Sequence, residues 1–244
     1  MSDPVVEVTN AVKFLGEGAR KVQALKGVNL KLAGGELVLL MGPSGSGKTT
    51  LLSVLGCILS PNQGSVRVCG HSTSNLGPEA LAKLRLAHIG FVFQTYHLFP
   101  TLTAIDNVRL VLEVGGERPH HAAAKAMDVL AMVGLAHKAR ALPLELSSGE
   151  QQRVAIARAM VGNAAVILAD EPTAALDGEN GHSVMSLLAE VAKSQSRGVL
   201  VVTHDARTLP FANRIVRIED GRIVGEEQGV NASPAEQTRQ LQVS

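Results

Sequence analysis

An α/β fold is what this 244-residue chain predicts, and three observations carry that reading. A glycine-rich segment at 42 to 49 stands between a strand-like stretch and a helix-like one. Two continuous apolar runs, 166 to 169 and 199 to 202, read as parallel strands covered on both faces. Between the glycine-rich segment and those runs lie Ala-, Leu- and Gln-rich stretches that start and stop like helices.

Taken in order, residues 5 to 9, 28 to 32 and 65 to 69 alternate like short strands bounded by Gly, Asn and Pro, and form a β-rich face. Glu-Leu-Val-Leu-Leu-Met at 36 to 41 reads as a buried strand, and Thr-Leu-Leu-Ser-Val-Leu-Gly at 50 to 56 as a helix. Ile-Gly-Phe-Val-Phe at 89 to 93 is a further apolar strand. Residues 119 to 133 form a helix with Pro119 at its start and Gly134 past its end. A second helix, 150 to 163, carries Val154, Ala157 and Val161 along one stripe. Residues 215 to 223 read as a hairpin turning at Asp220-Gly221. The organisation expected is one α/β unit across 1 to 228, split by a helical insert at about 95 to 163, then a polar tail from 229 to 244. No internal repeat is present, so the glycine-rich segment occurs once.

Composition narrows the classes. There are 23 Lys and Arg against 22 Asp and Glu, with no long run of either sign, so no nucleic-acid partner is expected. Cys57 and Cys69 are too few for a disulfide scaffold. The N-terminal residues lack a basic stretch followed by an apolar one, and no apolar run reaches the ~18 residues of a membrane span. The chain is expected to be soluble, so work at a membrane requires another chain to hold it there.

The chemistry concentrates at 42 to 50. Gly42, Gly45 and Gly47 let the backbone of Gly-Pro-Ser-Gly-Ser-Gly-Lys-Thr turn so that successive N–H groups converge on an anion, at the N-terminus of the following helix. Pro43, Ser44, Ser46 and Thr50 complete this cradle, Lys48 supplies a cation for β- and γ-phosphates, and the Thr49 hydroxyl suits Mg²⁺. This segment predicts a nucleoside triphosphate site. Asp170-Glu171 closes the strand 166 to 169 at the carboxyl edge of a parallel sheet, where ligands bind. Asp170 is the candidate metal ligand and Glu171 the candidate general base for an attacking water. Leu-Ser-Ser-Gly-Glu-Gln-Gln-Arg at 146 to 153 opens a helix with a Ser hydroxyl and a Gly N–H; taken alone it is an N-cap.

Together with Gln94 ending a strand, Ala-Ala-Leu-Asp at 174 to 177 and His204 in Val-Val-Thr-His-Asp, these motifs resemble, over almost the full length, the nucleotide-binding subunit of an ATP-binding cassette transporter. The resemblance implies a P-loop NTPase (RecA-like) core with an N-terminal antiparallel β subdomain and an inserted α-helical subdomain. It implies ATP and Mg²⁺ as ligands, with Thr49, Gln94 and Asp170 at the metal and Asp177 at the nucleotide. Lys48, Gln94, Glu171 and His204 are the catalytic set, His204 being the γ-phosphate contact.

The resemblance also implies a sandwich dimer in which Ser147 and Gly149 of a second copy complete the site on Lys48. The stretch 89 to 108 is similar to the MacB/LolD/DevA-like group, and 203 to 221 leans toward the DevA-like exporters. The function implied is ATP-driven export, or lipid or lipoprotein release, with a permease docking near 95 to 108 and a possible membrane-fusion protein. The place implied is the cytoplasmic face of the inner membrane, as a peripheral subunit. An FtsE-like regulatory ATPase that drives a membrane partner without transport is the alternative. Three positions depart from the family pattern. Ser148 replaces a Gly and Glu150 a Gln in the signature, which implies slower closure, and Phe14 stands as the candidate for the usual adenine-stacking Tyr, with Leu15 as the alternative one residue on.

Overall fold

The computed structural model describes residues 4 to 231; most of the expected polar tail lies outside the described residues. The chain runs β1 (Val6–Leu15), β2 (Val22–Leu32), β3 (Leu37–Met41), α1 (Lys48–Leu55), β4 (Gln63–Val68) and β5 (His71–Ser72). It continues through α2 (Pro78–His88), β6 (Ile89–Val92), α3 (Ala104–Val114), α4 (Pro119–Met132) and α5 (Ser148–Met160). It closes with β7 (Val166–Asp170), α6 (Gly178–Gln195), β8 (Gly198–Val202), β9 (Arg214–Glu219) and β10 (Arg222–Gln228).

The apolar runs do what their composition dictates. β3, β7 and β8 are buried almost throughout and pair in parallel at the centre of a six-stranded sheet ordered β10-β9-β3-β8-β7-β6. Such strands have no solvent face, so both sides must be covered. On one side α1 packs with the inner face of an antiparallel sheet ordered β2-β1-β4-β5. On the other side lie α6 and one face of α5.

α5 serves two cores at once. Ile156, Ala159 and Met160 face the central sheet. Val154 and Ala157, with Val161 just past the helix, join α3 and α4 around Val108, Ala126 and Leu130. A helix shared by two clusters ties the helical insert mechanically to the sheet.

The expected strands, the helices at 50 to 56, 119 to 133 and 150 to 163, and the terminal hairpin are all present, with shifted ends. β1 extends to Leu15 and β2 begins at Val22, well beyond the alternating segments. Asp220 (φ 45°) and Gly221 (φ 73°) both adopt the left-handed conformation that a two-residue hairpin turn demands. Helices α2, α3 and α6 were not expected from the sequence. α2 buries no residue fully and only rests Leu81 and Leu84 against the core, a weak apolar stripe to read. α6 opens with Gly178 and Gly181 in its first turn, which reads as loop although Asp177 caps it through Asn180 N–H at 2.8 Å.

One buried ion pair links the two sheets. Arg214 of β9 bonds the Glu36 carboxylate at 2.9 Å, Glu226 at 2.9 Å and the Lys31 carbonyl. Glu36 also accepts from Ala33 N–H at 2.7 Å. Arg214→Ala would leave Glu36 buried without its counter-charge, and should cost about 3 kcal/mol in chemical denaturation. The double replacement Glu36→Leu/Arg214→Met should recover much of that loss, because no charge is left buried.

Candidate nucleotide site

The loop between β3 and α1 is shaped by what crowds it. A Cβ on Gly42 would overlap the Ile218 carbonyl oxygen, and one on Gly47 would come within 2.6 Å of the Ala24 carbonyl oxygen. Gly45 (φ 76°) and Gly47 (φ 103°) also take backbone conformations that favour glycine. The loop is pinned on a second side by Gly221 N–H donating to Ser46 O at 2.9 Å, and Lys26 N–H in turn donates to Gly221 O at 2.8 Å.

Helix α1 begins at Lys48 with no side-chain cap, so its first-turn N–H groups remain available to an anion. The Lys48 ammonium donates to the carbonyls of Gly42 and Pro43, each at 2.8 Å, which holds it over the loop. The Ser46 hydroxyl is buried and unpartnered among the described residues. These features fit a polyphosphate: uncapped donors, a tethered cation and a backbone that tolerates no side chain.

A cleft of about 450 Å³ opens over this loop. Ser44, Gly45, Gly47, Lys48, Thr49 and Thr50 form one side, and Asp170, Glu171 and Val202 another. Burial pushes the Asp170 carboxyl up, reinforced by the adjacent Glu171, while the Thr49 hydroxyl and the Lys48 charge pull it down. A divalent cation beside Thr49 and Asp170 would relieve that burial cost. Among the described residues no cluster of three His, Cys, Asp or Glu forms a ready-made metal cage.

Glu171 sits just past β7 at φ 48°, a strained setting for a non-glycine residue. Its N–H bonds Val202 O at 2.9 Å, and its carboxylate Oε1 meets His204 Nδ1 at 2.8 Å. The Glu171 side chain is 17% exposed against 74% for His204, so the base is sheltered and its partner faces out. β6 and β7 pair Val92 with Ala169, so Gln94, two residues further, stands at the level of Glu171 on the exposed loop leaving β6.

Ser147 and Gly149 are not part of this cleft. Ser147 caps α5 by accepting from Glu150 N–H at 3.3 Å, while Glu150 accepts from Ser147 N–H at 2.8 Å. That bond above all holds the Glu150 carboxyl below its ordinary range. The Glu150 charge lies at the N-terminus of α5, where the helix dipole favours it. Gly149 is close-packed, since a Cβ would strike the Asn180 side chain. Asp177 is occupied by the same Asn180, at 2.8 Å through both its N–H and its amide.

Phe14 does not wall the cleft; Leu15 and Val22 do, with Gln23 and Ala24. Adjacent strand residues point to opposite faces, and Phe14 is instead covered by the Lys21 ammonium at 4.6 Å from its ring centroid. Leu15 is 39% and Val22 62% exposed, an aliphatic platform on the open edge. The Asp220-Gly221 turn also lines the cleft, which no sequence motif indicated. Leu15→Ala should weaken ATP binding about five-fold by loss of buried apolar area, while Phe14→Ala should change it less than about two-fold. Fluorescent-nucleotide displacement checks both; a larger loss for Phe14→Ala would return the platform to Phe14.

Comparison with known proteins agrees with this geometry. The ABC transporter family model matches residues 25–174. The macrolide export ATP-binding/permease protein MacB of Burkholderia thailandensis is 42% identical over 236 residues, 97% of this chain and 36% of that protein. The pyoverdine export ATP-binding/permease protein PvdT of Pseudomonas entomophila is 42% identical over 245 residues, 100% of this chain and 37% of that protein. The chain thus spans little more than a third of these curated relatives. The dimeric post-hydrolysis structure of the ATP-binding cassette MJ0796 bound to ADP and Pi superposes with a TM-score of 0.83 at 41% identity, covering 91% of this chain and 98% of that one. With a phosphate loop, a Glu171–His204 pair and a signature helix on one cassette fold, the chain belongs to the ABC transporter family, as its ATPase domain.

Proposed function

We propose that this ATPase powers a membrane exporter through ATP-driven closure of two copies, each completing the other's site. The observation that carries the reading is the split within one chain. The cleft holds phosphate donors, metal ligand and base, whereas Ser147 and Gly149 stand on α5, outside it. A half-site of this kind needs its second half from elsewhere, and the relative MJ0796 is itself seen as a dimer.

In this mechanism the uncapped start of α1 and the Lys48 ammonium take the β- and γ-phosphates, replacing the carbonyls of Gly42 and Pro43 as partners of Lys48. Thr49 and Asp170, with Gln94 from the loop after β6, would hold Mg²⁺, which would supply neutralisation of phosphate charge. Glu171 accepts a proton as water oxygen bonds to the γ-phosphorus, and the bond from that phosphorus to the bridging oxygen breaks, leaving ADP and phosphate. His204 fixes the Glu171 carboxylate before attack, its Nδ1 standing 2.8 Å from Oε1, and is a further donor toward the γ-phosphate. Ser147 and Gly149 of the second copy close the γ-phosphate from the opposite side, so hydrolysis awaits closure.

The coupling surface fits a helix of the permease. An apolar cleft of about 540 Å³ lies between α2 and the loop after β6, walled by Leu86, Phe91, Phe93, Phe99, Val111 and Val114. Phe99 is 50% and Val114 66% exposed, which is unusual for large apolar side chains unless another chain covers them. The groove starts earlier and ends later than 95 to 108. Among the described residues no helix is long and apolar enough to cross a membrane, so this docking would hold the chain at the membrane's cytoplasmic face. MacB and PvdT are named for macrolide and pyoverdine export; the substrate path itself would belong to the permease, with a membrane-fusion protein a further candidate subunit.

Glu171→Gln should cut turnover more than about 100-fold, since it removes the base, yet leave nucleotide binding intact. With ATP and Mg²⁺ the variant should elute from size exclusion as a dimer, and as a monomer without nucleotide. A variant that keeps most of its turnover would remove Glu171 from the mechanism.

A further inference from the structure

We infer that Arg158 is a positioning residue that ties the loop after Gln94 to the helix bearing the signature residues, so that closure at the nucleotide is delivered to the wall of the apolar groove. Three observations meet here. First, Arg158 of α5 reaches out of its own helix to the carbonyls of Tyr96, at 2.7 Å, and His97. These two bonds are the only ones its guanidinium makes among the described residues.

Second, the residues it holds are strained. Tyr96 (φ 60°) and His97 (φ 48°) are consecutive non-glycine residues in the left-handed region. Their own turn contributes only Tyr96 N–H to Phe93 O at 3.2 Å and His97 N–H to Thr95 O at 2.6 Å. A planar guanidinium can hold two successive carbonyls at once, which a lysine ammonium on its flexible stem does poorly.

Third, the two ends of the link are functional surfaces. α5 is a 13-residue helix, a rod of about 20 Å, with Ser147 and Gly149 at its start and Arg158 in its last turn. The loop it grips carries Gln94 on one side and lines the groove with His97 on the other. There His97 packs on Phe93 at 4.6 Å, and Phe93 on Phe91 at 5.6 Å between ring centroids. A shift of the signature end therefore moves the Tyr96–His97 backbone and, through those stacked rings, the groove wall. Arg158 itself lines the groove beside Ala159 and Gly162, but in this role it acts through the loop it grips.

The inference rests on the closure proposed above, and the test separates the two. Amide hydrogen exchange is followed in the Glu171→Gln background with and without ATP and Mg²⁺, alongside size exclusion. Closure should slow exchange at residues 95 to 99 at least about five-fold, and at the start of α5 as well. In Glu171→Gln/Arg158→Lys the dimer should still form and the start of α5 should still slow, while residues 95 to 99 return to within about two-fold of the nucleotide-free rate. Full slowing at 95 to 99 in that variant overturns the role of Arg158, as does loss of slowing at both segments together, which marks general loosening. His97→Gly tests the link without touching Arg158. It keeps the carbonyl and accepts the same φ, so the slowing should persist; its loss would assign the coupling to the His97 ring. A Glu171→Gln chain that stays monomeric in ATP and Mg²⁺ overturns closure itself, and the inference with it.

Discussion

The structure depends on how tightly carbonyl oxygens crowd the phosphate loop. Ile218 O leaves no room for a side chain at Gly42, Ala24 O leaves none at Gly47, and Ser46 O is tied to Gly221 N–H. A loop clamped between the β9–β10 hairpin and β2 cannot relax its N–H groups toward water, so they stay convergent on one point. Preorganisation of this kind is what lets a site stabilise developing phosphate charge without rearranging. The clamp also explains why two elements distant in sequence from the loop, the start of β2 and the Asp220 turn, form part of the cleft.

From that clamp the rest follows by register. β3 ends at the loop, and its parallel neighbour β8 and the next strand β7 end on the same side, so Thr203, His204, Asp170 and Glu171 emerge on one edge. Two adjacent carboxylates there are costly, and they are handled differently. Asp170 is half-buried beside Thr49 and Lys48, while Glu171 turns into a left-handed backbone conformation and bonds His204. The proposed roles, metal ligand for one and base for its neighbour, rest on that difference. α5, sharing its faces between the sheet and the helical cluster, makes any movement of the signature end a movement of both cores.

Much of this was legible in the sequence because it is written in glycine spacing and in apolar runs with carboxylates at their ends. Residues from 42 to 49, 166 to 171 and 199 to 204 come together around one cleft in the structure. What was not legible has physical causes. Leu15 and Phe14 differ by one position, which reverses the face of a strand, and β1 pairs with β2 through register shifts at Ala11/Val12 and Lys13/Phe14 that defeat simple counting. α2 has only a weak apolar stripe, and α6 begins with glycines. The Arg158 contact joins residues 61 and 62 positions apart, with no local pattern to betray it.

The central claim is that one chain carries half of each site, completed by a second copy. It is tested most directly by mixing two inactive chains. One carries Lys48→Ala with an intact signature, and the other carries Ser147→Ala/Gly149→Asp with an intact phosphate loop. Completion between copies predicts that the mixture regains ATPase activity, up to about a quarter of the wild-type rate, because half of the dimers formed at random are mixed and each has one whole site. A mixture as inactive as either chain alone would show that phosphate loop and signature act within the same copy, and would contradict the account.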